Sequence, residues 1–270
     1  MPGIQIANTA TVFSRANMPT LFKPSTFIAN LLGWWSADSG VTLDGNNRVS
    51  LIVDQGPAGN NLAPLGAGGT NAPLNLPNTQ AGKPGFYNDN AGNIARWVQV
   101  NNPFPAGTWN KTLPFTHAIA MRKVNNSANV GLDVLGGCKF AGSTSGFYMI
   151  MSAGVVSFVI QSSTVGTEKI VVKGSTVLVS GKTYIIAVTY DGSALASGVK
   201  VYINGTLETM TVVTDTIASA LATGAQFHVG SNGGNSDANI HFEQTLYNRA
   251  LTAAEVATLS VYMNQRWLAY

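Results

Sequence analysis

The chain is poor in charge. Lys, Arg, Asp and Glu together make up 10% of its 270 residues, against roughly 25% in an ordinary soluble domain. The 15 basic and 12 acidic side chains form no runs, so the net charge of +3 is a small excess and not a patch. Binding through phosphate neutralisation needs clustered Lys and Arg, and a nucleic-acid partner is therefore not expected. Cys138 is the one cysteine, which excludes an intrachain disulfide and a thiolate metal cage. It follows a strand-like run and has no histidine near it in sequence, so it reads as an inert buried thiol. No stretch approaches the ~20 apolar residues of a membrane helix, and no membrane partner is expected. The N-terminus lacks the charged-then-apolar pattern of a secretory signal peptide. Glutamate is scarce as well, with only Glu168, Glu208, Glu243 and Glu255.

What is present is turn formers and short alternating apolar runs. Hydrophobic residues are 45% and glycines number 29, a balance that argues against disorder. "FTHAIAMR" puts Phe115, His117, Ile119 and Met121 on one strand face, and "KTYIIAVTYD" does the same for Tyr184, Ile186, Val188 and Tyr190. "GFYMIMS" and "VVSFVIQS" read as a pair joined at Ala153-Gly154. "VKVYINGTLETMTV" reads as a hairpin, because Asn204-Gly205 supplies the positive φ values of a type I′ turn. Residues 55–80 read as loop. About a dozen strands without intervening helices indicate an all-β, antiparallel sandwich. The exception closes the chain. In "RALTAAEVATLSVYMNQRW", Thr252 and Glu255 have the spacing of a capping box, and Leu251 and Val256 that of a hydrophobic staple. Val256, Leu259, Met263 and Trp267 then build one apolar stripe, so the spacing predicts a short C-terminal helix docked on a sheet.

The order "AVTYDGS…VKVYINGTLE", "FHVGSNGG…ANIHFEQTLYNRALTAAEV" and final helix resembles the concanavalin A-like lectin/glucanase superfamily, in particular its laminin-G-like branch. That pattern has a YxNG hairpin, a glycine-bearing loop, a strand, and a YxRaLsxxEi segment leading into a helix. The resemblance covers roughly residues 31–267 and is patchy between 55 and 110. It implies a concanavalin A-like jelly roll over 31–270, preceded by an N-terminal arm over 1–30. It also points to virion proteins of tailed bacteriophages and to bacterial surface proteins, where this form recurs.

Glucanases of the superfamily carry paired carboxylates on one strand, since retaining cleavage needs nucleophile and acid about 5 Å apart. Here no two acids alternate along a strand, and Glu243 stands alone in "HFEQTLYN". No GxSxG elbow supports a serine hydrolase. The expectation is therefore a non-enzymatic protein that needs no cofactor. His117 follows an apolar face and reads as a core imidazole. His228 and His241 alternate with Phe227/Val229 and Ile240/Phe242 and read as partly exposed, a zinc pair across strands being the rarer alternative. Asn232, Asn235, Asp237 and Asn239 in "GSNGGNSDAN" form a glycine-rich turn that could take a sugar or calcium, although one carboxylate is thin for a tight ion site. Trp34, Trp35, Trp97 and Trp267 read as core. Trp109, in "FPAGTWNK", is the most loop-like tryptophan and the best candidate for a sugar-stacking platform or interface anchor. Within the arm, Phe13, Leu21, Phe22 and Phe27 offer anchors, equally compatible with wrapping the domain or docking on a partner.

These readings converge on a structural component of a bacteriophage virion, a capsid-decoration (cement) or tail-associated protein. It would be made in the cytoplasm of the bacterial host and placed on the virion surface. Its expected partners are itself, in a homo-oligomer such as a trimer, and other virion proteins such as a major capsid protein. The rival is a carbohydrate-binding module that recognises a host-surface glycan.

Overall fold

The computed structural model describes residues 29–64, 72–87, 98–101, 103–104, 109–124, 133–139, 146–162, 167–218, 226–230 and 239–270, together with Pro24. The arm anchors Phe13, Leu21, Phe22 and Phe27, the loop residues Asn232, Asn235 and Asp237, and Trp97 lie outside this set.

In chain order the strands are β1 (Leu31–Ser36), β2 (Val41–Leu43), β3 (Val49–Ile52), β4 (Ala63–Pro64), β5 (Leu74–Gln80), β6 (Lys83–Tyr87), β7 (Val98–Asn101), β8 (Phe115–Arg122) and β9 (Asp133–Lys139). They continue with β10 (Gly146–Ser152), β11 (Val155–Gln161), β12 (Lys169–Val177), β13 (Thr183–Tyr190), β14 (Val199–Ile203), β15 (Thr206–Leu207), β16 (Thr211–Asp215), β17 (Gln226–Val229) and β18 (Ile240–Tyr247). Helix α1 (Ala253–Trp267) follows. One sheet runs β15-β14-β13-β8-β18-β6-β5, with β1 also paired to β18, and the other runs β16-β12-β11-β10-β9-β17-β7-β4. All pairings are antiparallel. The fold is the antiparallel sandwich with one C-terminal helix that the sequence pattern predicts.

The alternation of β8 and β13 decides the core. Phe115, His117, Ile119 and Met121 pair with Tyr190, Val188, Ile186 and Tyr184 and face the second sheet. There Phe115 stacks on Phe147 at 3.9 Å between ring centroids, with Phe158 at 5.7 Å. Ala153 and Gly154 (φ +48° and +79°) turn β10 into β11, and Asn204 and Gly205 (φ +52° and +79°) turn β14 into β15. That second hairpin stops after two residues. The Glu208 carboxylate then accepts hydrogen bonds from Ser175 N–H, Thr176 N–H and the Thr176 hydroxyl, and the chain crosses to the other sheet as β16. Within 55–80, read as loop from its composition, the chain forms β4 and β5. The latter carries Pro77 and a positive φ at Asn78, which an edge strand tolerates.

Helix α1 starts as its sequence specifies. The Thr252 hydroxyl accepts from Glu255 N–H (3.3 Å), and the Glu255 carboxylate accepts from Thr252 N–H (2.8 Å). Leu251, Val256, Leu259, Met263 and Trp267 are buried. Arg249 grips the same carboxylate with two nitrogens at 2.9 and 2.6 Å. That contact is the main reason the Glu255 carboxyl falls from 4.5 to about 2; burial opposes it, and the Thr252 donors assist. A carboxyl lowered on folding stabilises above its unfolded value and loses that contribution as pH drops. The stability of the wild type over Glu255→Gln should thus be full above about pH 4.5 and vanish towards pH 2. Urea titrations across that range check this, and a pH-independent difference would contradict the ion pair's role.

Candidate functional site

The single glutamate of a late strand sits at the junction of sheet and helix. On β18 the pairing with β8 goes from His241↔Met121 to Glu243↔Ala120, leaving Phe242 as an extra residue. This bulge shifts the alternation by one. His241 and Gln244, three apart, thereby meet on the inner face, while Phe242 and Glu243 both meet the helix. Gly85 makes room for this, since a β-carbon there would lie 2.8 Å from the Phe242 ring.

Glu243 is 1% exposed. Its carboxylate accepts from the indole N–H of Trp34 (2.5 Å), the Tyr262 hydroxyl (3.0 Å) and the indole N–H of Trp267, and Arg266 Nε lies 3.6 Å away. Burial pushes the Glu243 carboxyl upward, and the Arg266 charge with the three donors only partly restrains the rise. Arg266 is shared. It donates to the Tyr262 oxygen (2.8 Å), to Ser36 Oγ (3.1 Å) and to Asp38, and its guanidinium lies over the rings of Trp34 and Trp267 at 5.8 and 5.7 Å. Burial disfavours its charge, yet Glu243 and Asp38 more than offset this and hold it protonated. Asp38 also takes the Ser36 hydroxyl (2.6 Å) and pairs with Lys83 at 3.2 Å. Burial alone would raise its carboxyl; Arg266, Ser36 and Lys83 bring it below its ordinary value.

Asp38 is where this network reaches the surface. With Ala37, Ser39, Gly40, Asn75 and Pro84 it lines an open groove of about 280 Å³. That is just under the roughly 300–1,000 Å³ of small-molecule sites. The groove offers a carboxylate, an amide and a hydroxyl beside the apolar Val41, Leu43 and Pro84, but Asp38 is already committed to two cations. On the inner face, the polar chain runs from His117 Nε2, donating to Gln244 Oε1 (2.6 Å), to Gln244 Nε2, donating to His241 Nδ1 (2.9 Å). Burial drives the His117 imidazole down to about 4, with His241 adding and Gln244 opposing, so it is neutral. The cavity beside His241 and Gln244, lined also by Trp35, Ile52 and Leu62, measures about 10 Å³, room for at most one water. Among the described residues no group of three or more His, Cys, Asp and Glu side chains is placed to hold a metal. Burial also pushes the Cys138 thiol well above its ordinary value, as an inert thiol requires.

Several sequence expectations change here. Trp109 is neither platform nor anchor: it is fully buried, donates to Leu113 O (3.1 Å), and packs edge-on against Phe147 and Phe115 at 4.7 and 5.6 Å. Its segment is a loop in sequence, but the indole turns inward to complete the aromatic core. His228 and His241 are buried, not partly exposed. For His241 the inward side of the strand is the polar one, because the apolar side is covered by the helix. Asn239 is buried too, its side-chain oxygen accepting from Val124 N–H (3.2 Å), which makes it a strand anchor and not a ligand-presenting group. His117, Trp34, Trp35 and Trp267 are core, as expected.

A further surface feature escaped the sequence reading. Edge strands β15 and β16 end the two sheets on one side of the sandwich, and Leu207, Val212 and Val213 on them are 53%, 55% and 58% exposed. Val177 and Val179, at and just beyond the end of β12, are 61% and 58% exposed. Nothing in a Val-Val run tells an edge from a core strand.

The Laminin_G_3 family, described as concanavalin A-like lectin/glucanases superfamily, matches residues 119–257, more than half of the chain. The chain belongs to this superfamily. No curated protein sequence matches it. Among solved structures, this concanavalin A-like chain is similar to the binding domain of Paraclostridial Mosquitocidal Protein 1, with TM-score 0.59 and 16% identity over 87% of this chain and 53% of that one. It is similar to the botulinum neurotoxin serotype G binding domain (TM-score 0.60, 14%, 87% and 51%) and to that of serotype D (0.55, 14%, 85% and 52%). The chain spans about half the length of these domains, and at such identities the likeness is one of fold.

Glu243 gives a direct test of the network. Glu243→Gln keeps the shape but turns an amide towards donors and strips Arg266 of a buried partner. It should cost about 3–5 kcal/mol in a denaturant titration. A loss under about 1 kcal/mol would show that the carboxylate is not what binds helix to sheet.

Proposed function

We propose that the protein is a non-enzymatic structural component of a bacteriophage virion, a capsid-decoration or tail-associated protein that works through protein contacts on a lectin-like sandwich. The observation that carries this reading is the exposed apolar side at Val177, Val179, Leu207, Val212 and Val213. It lies on a chain whose strand glutamate and inner histidines are engaged in holding the fold. Exposed apolar side chains gathered at the edge of a sandwich suit a protein contact. Association with itself and with other virion proteins follows from the same reading. The test is to purify particles released by a bacterial strain that carries this gene and to quantify the protein in them by mass spectrometry and immunogold labelling. Stoichiometric, regularly placed copies are expected. Protein confined to the particle-free fraction would contradict the assignment.

The groove at Asp38 favours a second reading, a module that binds a host-surface glycan, and the solved domains of similar fold are themselves binding domains. On this reading a glycan array gives saturable binding that Asn75→Ala weakens about tenfold or more, the loss of one good polar contact. Binding unaltered by Asn75→Ala, or none at all, removes the groove from consideration.

A further inference from the structure

The exposed edge strand carries its own instructions for a partner. β16 is the last strand of its sheet and pairs only with β12 among the described residues. Its register with β12 passes from Val172↔Val212 to Val171↔Thr214, so Val213 is an extra residue. The strict alternation is broken there, and both valines stay open to solvent. Edge strands are commonly guarded by Lys or Pro; Thr211 to Thr214 include neither, nor any charge. The run reads Thr-Val-Val-Thr in both directions.

We propose that β16 is a self-association edge, at which a second copy of this chain packs antiparallel across a two-fold axis between Val212 and Val213; this rests on the assembly role above. In that arrangement Val212 faces the partner's Val213, and Thr211 faces the partner's Thr214. Valine and threonine pairs of this kind are favourable cross-strand neighbours. The two Asp215 side chains fall at opposite ends, about 17 Å apart at strand spacing, beyond the roughly 8–10 Å screening length of ordinary buffers. Asp215 is in any case turned to its own chain, accepting from Ala196 N–H at 3.1 Å. A two-fold contact presents the same patch on both copies, and the palindromic, uncharged run from Thr211 to Thr214 meets that condition. The bulge bends the strand and limits how many backbone hydrogen bonds can form, so the valines carry most of the contact. A different partner would have no need of the palindrome.

The experiment is sedimentation equilibrium of the full chain over a wide concentration range, with two variants. Wild type should approach the mass of two chains, and Val213→Asp, at an exposed site, should sediment as one chain with an unchanged circular dichroism spectrum. Mild oxidation of Val213→Cys should cross-link two copies, because the paired register brings the two positions within disulfide reach. Val261→Cys, exposed on helix α1, should not cross-link. A wild type that stays monomeric throughout, or a dimer that survives Val213→Asp without cross-linking at 213, would overturn the pairing. Particle-bound protein that is monomeric in solution and does not cross-link would overturn the pairing alone. Cross-linked dimers that never join particles would leave the pairing standing and overturn the virion reading.

Discussion

A buried carboxylate is costly unless its oxygens are satisfied, and the way Glu243 is satisfied determines how this chain is put together. Its donors come from two places far apart in sequence: Trp34 on β1, and Tyr262 and Trp267 on the helix, with Arg266 alongside. Each needs the others. Without the helix, Glu243 would lie on an outer sheet face facing solvent; without Glu243, two indole N–H groups would be buried with no acceptor. The Phe242 bulge is the geometric condition, because it turns Phe242 and Glu243 to the helix while leaving His241 and Gln244 inward. One extra residue thus serves two polar networks on opposite faces of one strand. Arg266 then carries the connection outward to Asp38 and Lys83, so the floor of the surface groove belongs to the same construction as the helix dock.

The parts that were legible in the sequence are those governed by neighbours along the chain. The capping box at Thr252 and Glu255, the turns at Ala153-Gly154 and Asn204-Gly205, and the paired alternation of β8 and β13 depend on local rules that hold in the folded protein. What was illegible depends on what lies over a face. The pattern of β18 suggested a partly exposed His241 because it assumes one covered side, and this strand is covered on both. Trp109 has turn formers around it and still completes the core, since only the folded chain shows the stacked pair of Phe115 and Phe147 against which its edge packs. Val212 and Val213 err in the other direction, two residues with strong strand preference whose exposure follows from β16 being last in its sheet. β5 was hidden because Asn75, Pro77 and Asn78 are poor strand formers, acceptable only at an edge.

The superfamily's fold hosts many functions, so membership by itself settles none. In this chain the strand position that bears Glu243 serves the architecture: the acid is sealed beneath a helix, and His117 and His241 are joined through Gln244 in one hydrogen-bonded chain. Among the described residues, the groove at Asp38 and the exposed apolar side chains of β15, β16 and the end of β12 are open surface. The groove's carboxylate is already neutralised from within. The apolar side, in contrast, has its exposed valines open to a partner.

The central claim is that the carboxylate network makes helix α1 an integral part of the sandwich and not an appendage. Native-state amide hydrogen exchange tests it most directly, since local opening and global unfolding are read separately for each amide. Amides from Val256 to Trp267 should exchange with the same free energy as those of β8 and β18, the helix opening only when the sandwich opens. Helix amides that exchange through a separate opening, several kcal/mol below the global value, would contradict the account.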